Sequence, residues 1–201
     1  MTNREEVKSA LAQFESLRFR QECMNNIADL HEMIRHGEIL FELAPVDDFP
    51  DVQPYLVSQL IIPYWEIARY YCHRQSYINS EHSKNINASI EYYNRLEKML
   101  TLEKGGMDKN GSYAVYLREV YEGRSECYLE IERVGLAIIE ANSYVNHFQD
   151  ARAHFHRAKL FVSLELFEQA KTDIFVVIET AIDQEVMSNV IYLQKKINLN
   201  N

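Results

Sequence analysis

Glycine and proline are scarce in this chain, at 6 and 4 residues out of 201. An all-β chain needs turn formers every ten positions or so, so their rarity excludes a sandwich or barrel and favours long helices. Cysteine is as rare. Cys23, Cys72 and Cys127 lie far apart, are odd in number and form no CxxC pair, which excludes a disulfide framework and a cysteine-based zinc or redox site. Reduced, mostly buried thiols are expected instead. No basic run occurs, and a net charge of -9 with a pI near 5.3 would repel a phosphate backbone, so a nucleic-acid partner is not expected. The richest apolar stretch, Ile174 to Ile178, is far short of the ~20 residues that span a bilayer, and the start of the chain has no apolar region of signal-peptide type. A cytoplasmic protein without a membrane partner is expected.

Hydrophobic residues make up 47% of the chain and charged residues 25%, a globular composition. A chain of this length can bury roughly 70% of its unfolded surface, enough for a core without staples. Thr2 and Asn3 precede Glu5 and Glu6 as in a capping box, and Val7, Leu11, Phe14 and Leu17 follow at helical spacing. A second apolar series runs through Ile27, Leu30, Ile34 and Leu40, with Gly37 marking a break or bend. Residues 1–50 thus form an N-terminal helix pair. It closes at 44–51, where Pro45, Pro50 and three aspartates prevent helix continuation.

Asp51 or Gln53 then opens a long helix with Pro54 in its first turn, running through Trp65 to about Gln75, and Pro63 should kink it or shift its start. Residues 77–86 are polar and read as a loop, with Asn87 capping a helix over 88–102. The Gly-rich stretch 104–111 is the strongest breaker in the chain. Beyond it the pattern predicts helices at about 112–131, 133–146, 149–165, 167–181 and 184–197. Helices of roughly 14 to 20 residues joined by turns of about two to four must lie antiparallel to their neighbours. The expected fold is all-α, about eight or nine helices in stacked hairpins.

Residues 151–184 carry a small-aromatic-aromatic-small series: Ala158, Phe161, Phe167 and Ala170. Small side chains let two helix backbones approach, and the aromatics fill the flank. Ser125, Tyr128 and Ala137 repeat the series in 118–150, one residue short. Ala68 and Tyr71 begin a third copy, continued by Ser89 to Leu96 after extra residues. With Phe167-Glu168-Gln169-Ala170-Lys171 at the turn, this series resembles the tetratricopeptide repeat, a 34-residue helix-turn-helix unit. The resemblance covers about half to two-thirds of the chain, lacks the family's terminal proline and leaves 1–50 unassigned. It implies that 51–201 form a right-handed superhelix, interrupted near 104–111, whose concave groove holds a segment of another protein.

Carried over residue by residue, the resemblance puts Ile62, Trp65, Arg69, Cys72 and His73 in the groove from the first unit. It adds Glu119, Glu122, Glu126, Leu129 and Glu130 from the second, and Arg152, Phe155, Lys159, Val162 and Ser163 from the third. Trp65 and Phe155 would bury a partner side chain. The Lys and Asn positions by which one subgroup clamps a chaperone's terminal carboxylate are Trp65/Arg69, Glu122/Glu126 and Phe155/Lys159 here, so that clamp is not assembled.

The acidic series also stands without the family. Glu119, Glu122, Glu126 and Glu130 fall at i, i+3, i+7 and i+11, four carboxylates on one helical face. Such neighbours cost a helix about 0.2–0.5 kcal/mol per pair, so the stripe invites a reason. It would attract a Lys/Arg-rich segment of the partner.

Catalysis is not expected, and neither is a cofactor or metal. None of the seven histidines lies three residues after a glutamate, as a helical di-iron site requires. His31 and His36 are five apart and diverge by about 140° on a helix, so they do not form a zinc-protease pair. No phosphate-binding loop and no nucleophile elbow occurs. The function expected is that of an adaptor or chaperone-like interaction module. The alternative is a toxin-neutralising or regulatory protein that binds through its acidic helix face.

Overall fold

The computed structural model describes residues 3–21, 26–45, 47–73, 81–103, 106–180 and 184–199. Among the described residues there are nine helices and no strand. They are α1 (Asn3–Gln21), α2 (Ile27–Leu43), α3 (Val52–His73), α4 (Glu81–Leu102), α5 (Ala114–Glu130), α6 (Val134–Phe148), α7 (Ala151–Ser163), α8 (Phe167–Thr180) and α9 (Gln184–Leu199). No helix among them is long and apolar enough to cross a membrane. The cap expected at Thr2, the helix end near Gln75, Cys23 and the turn at 181–183 lie outside the described residues.

The chain divides into two compact units, Met1–Gly123 and Arg124–Asn201. The division falls inside α5, not at the Gly-rich stretch. That stretch breaks the helix without breaking the packing, since it continues as turns (Gly111 N–H to Asp108 C=O, Ala114 N–H to Gly111 C=O) into an α5 start that packs on the first unit. There Tyr116 stands edge-on to Trp65, and Gly123 lies against the Tyr93 ring.

In the first unit the apolar series of α1 and α2 point inward as the spacing predicts: Val7, Phe14, Leu17, Leu30, Ile34 and Leu40 are buried. Two expectations fail. Gly37 is not a break; it is a buried residue inside α2, where a Cβ would stand 2.9 Å from the Leu60 side chain. Glycine is there because α2 and α3 approach closely. Asn87 is not a cap; α4 starts at Glu81, and the Asn87 amide donates to Ser83 C=O one turn back. Burial of Ile86, Ile90 and Tyr93, with Ser89 Oγ donating to Ala68 C=O at 2.8 Å, secures α4 on α3 and outweighs its polar first turns. α3 is one helix with Pro63 inside it.

In the second unit, the turns between α5 and α6 and between α7 and α8 are built alike. Arg133 N–H reaches Tyr128 C=O at 2.8 Å with Glu132 left-handed, and Leu166 N–H reaches Phe161 C=O at 2.9 Å with Glu165 left-handed. Both are Schellman closures, which satisfy the last helical carbonyls and turn the chain back at once. Asp150 caps α7 through its carboxylate, which accepts from Ala153 N–H. Ala158, Phe161 and Ala170 are buried in one cluster with Ile174, Val177, Val190, Leu193 and Ile197, and Phe167 packs against it. Ala137, Ala141 and Leu160 form a second cluster, flanked by Tyr128 and Leu129. Ser125 is fully buried, as is Cys127, a free thiol.

Candidate functional site

The second unit holds a pocket of about 180 Å³ on the side where α5 and α7 meet. Helix spacing puts Ser125, Glu126 and Leu129 of α5 on one wall. His156, Lys159, Leu160 and Ser163 of α7 form the other. At its floor Ser125 Oγ and His156 Nε2 are 2.6 Å apart, both side chains buried, so each satisfies the other. The remaining floor is aliphatic, from Leu129 and Leu160. Glu126 and Lys159 are exposed at the rim on opposite walls, and Lys159 makes no hydrogen bond or ion pair among the described residues. The pocket can therefore receive an apolar side chain between two exposed charges of opposite sign.

A buried polar network holds α7 in place. The Asp173 carboxylate, 1% exposed, accepts Arg157 Nε and Nη2 at 2.8 and 2.7 Å, and lies 2.7 Å from His154 Nδ1. Arg157 Nη1 donates to Asn142 at 2.9 Å, and Arg124 pairs with Glu140 at 2.9 Å. A bidentate guanidinium-carboxylate pair has one good geometry, so it fixes the register of α7 on α8 and α6.

The expected groove residues fall as follows. Glu126 and Lys159 face each other at the pocket rim; Glu130 and Arg152 are exposed on the same two helices. Glu119 and Glu122, on α5 within the first unit, are half-buried. Phe155 packs against the α7–α9 cluster, and Val162, at 4% exposure, belongs to that core and lines no groove. In the first unit Trp65 is half-buried, edge-on to Tyr116 with ring centroids 5.5 Å apart. Arg69 lies 4.8 Å over its ring. The indole N–H is buried and has no hydrogen-bond partner among the described residues. Trp65 thus serves packing within its unit. His73 belongs to α3, but its side chain lies outside those described.

Sequence reasoning missed the Ser125–His156 pair. Residues 31 apart meet only through the register of two helices, and the one signal was Ser125 in the small-residue place of the repeat.

Compared with protein-family models, with curated proteins and with solved structures, the chain gives no match.

Proposed function

We propose that this chain is a protein-binding helical-repeat protein of tetratricopeptide-like build, an adaptor or chaperone, that holds a segment of its partner on the α5–α7 face. The observation that carries the reading is the makeup of the pocket there. Four of its residues, Glu126, Leu129, Lys159 and Ser163, occupy positions that the family resemblance assigns to the groove. The repeat itself is supported by spacing. Ser125 and Ala158, Tyr128 and Phe161, Ala137 and Ala170, and the left-handed turn residues Glu132 and Glu165 are each 33 positions apart in matching surroundings. α7 also packs on both α8 and α9, as the first helix of a pair does in a right-handed stack.

In this reading an apolar side chain of the partner enters between Leu129 and Leu160, worth about 1.5–3 kcal/mol if fully buried. Basic residues beside it meet Glu126 and Glu130, and a carboxylate meets Lys159. These exposed charges set register and encounter rate more than affinity, and salt weakens them. The proposed setting is the cytoplasm, and no catalytic step is assigned.

The test is capture of partners from native cytosol by the full chain and by Glu122→Lys/Glu126→Lys. Capture should fall steeply at low salt in the variant; unchanged capture removes the acidic stripe from the account. The exposure of Glu126 and Glu130 favours one second reading, a regulatory or toxin-neutralising contact through that face alone. Loss on Glu130→Lys with no loss on Leu129→Ala would select it.

A further inference from the structure

The first unit has a larger groove, about 570 Å³, on its α2–α4 side, which the function proposed above does not use. Its floor is Tyr64 of α3, 1% exposed, whose hydroxyl donates to Glu38 Oε1 at 2.8 Å. Arg95 Nη1 donates to the same oxygen at 2.8 Å, and Arg95 Nε to Glu91 Oε1 at 3.0 Å. Burial first, and the Glu38 carboxylate second, push the Tyr64 phenol well above its usual value, so it remains a donor. The network holds Glu38 and Arg95 in fixed positions. It leaves Glu38 Oε2 and Arg95 Nη2 without a hydrogen bond among the described residues.

Arg95 is matched by Glu38 of α2 and Glu91 of its own helix, and the charges left over on the two walls differ in sign. Glu38 and Glu42 stand one turn apart on α2, while Arg95 and Lys98 stand three residues apart on α4; neither Glu42 nor Lys98 forms an ion pair among the described residues. Phe41 of α2 and Met99 and Leu102 of α4 give the walls their apolar surface, and Leu102 is 57% exposed. Arg95 and Leu102 stand seven positions apart on α4, about 10 Å at 1.5 Å per residue, more than one polar group of a small molecule can reach. A third helix laid between two others meets both walls at once, with its apolar ridge in the groove.

We propose that the α2–α4 groove seats an amphipathic helix of a partner protein. Its apolar stripe lies on Phe41, Met99 and Leu102. Its basic flank faces Glu42, and its acidic flank faces Lys98. It shares no lining residue with the α5–α7 pocket, so the two can be tested independently.

The test selects, on the full chain, from a displayed library of helical peptides of roughly 18 residues, about five turns. Binding of the enriched peptides is then measured by fluorescence polarisation. Enriched sequences should share an apolar stripe with acids along one side and bases along the other. Leu102→Glu should weaken them about tenfold or more, since it removes a buried apolar contact. Lys98→Glu should weaken them roughly threefold, the scale of an exposed ion pair. Peptides with exchanged flanks should bind the Glu42→Lys/Lys98→Glu chain better than they bind the original. All three positions are surface side chains, so circular dichroism should show folded variants. Any of the following overturns the proposal: no enrichment, equal binding to the Leu102→Glu chain, indifference to flank exchange, or Leu102-dependent self-association of the chain, which would give the groove to a second copy.

Discussion

Gly123→Ala sets packing against helix propensity in a way that only this arrangement of helices decides. In an isolated helix the change is favourable by about 1 kcal/mol. In this fold Gly123 is buried in α5, and the Tyr93 ring, itself 2% exposed, fills the space a Cβ would take. The new methyl overlaps the far end of a buried ring, which must shift, at a cost of about 1–3 kcal/mol. The ceiling is eviction of the ring, about 3–5 kcal/mol. Subtracting the helix gain leaves a net loss of up to about 2 kcal/mol from overlap, and about 2–4 kcal/mol if the ring is evicted. Urea unfolding followed by fluorescence of Trp65, the sole tryptophan and in the same unit, should show a midpoint lower by about 0.5–1 M with the slope unchanged. In a Tyr93→Leu background the same substitution should cost less, because the ring is gone. Gly135→Ala is the control. Its Cβ meets nothing within 4 Å, so it should stabilise α6 by up to about 1 kcal/mol. A midpoint raised by Gly123→Ala would refute the packing of α5 on α4.

Three further outcomes follow from the same structure. Glu132→Gly and Glu165→Gly should each raise the thermal midpoint, by about 0.5–1 kcal/mol of stability. Both residues are left-handed, which costs a side chain about 1–2 kcal/mol, partly offset by glycine's unfolded freedom. Asp173→Ala should destabilise the second unit by about 3 kcal/mol, measured by denaturant unfolding, because it strands Arg157 partly buried without its carboxylate. Burial lowers the His31 pKa below the usual 6.5 in its site between Tyr71 and Tyr92, where its nitrogens lie 3.1 and 2.9 Å from their hydroxyls and Arg95 lies over Tyr92. The unfolded chain therefore protonates first. The stability this histidine contributes is present above about pH 6.5 and is lost as the pH falls through the window down to the lowered value. Unfolding between pH 7.5 and 5.5 should show that decline in the original chain and a flatter profile in His31→Gln.

The helices of the second half were legible to within about two residues, because each carries an apolar stripe and ends at an abrupt change of pattern. Two of those ends, after α5 and α7, are Schellman turns with a left-handed glutamate, a backbone device that composition does not announce. The start of α4 was not legible. Its first turns are polar, and only the burial of Ile86 against other helices shows that they are helical. Gly37 misled for the same reason: a glycine that permits close approach of α3 looks, in one dimension, like a break. Of the pocket, Glu126 was legible as part of an acidic helical stripe, since that spacing is local, but the other three carboxylates of the stripe do not line it. The pairing of Ser125 with His156, and the meeting of Glu38 with Arg95 57 positions away, depend on which helices become neighbours.

The claim on which the functional account turns is that another polypeptide occupies the α5–α7 pocket. Its most direct test is a photo-crosslinking amino acid placed at Ser163, on the pocket wall, in cells that express the chain natively, with the exposed Thr172 of α8 as the control position. A discrete adduct to a second protein from position 163, absent from 172 and lost in Glu126→Lys/Lys159→Glu, is the result predicted. No adduct at 163, or adducts at both positions that ignore the charge reversal, would contradict it.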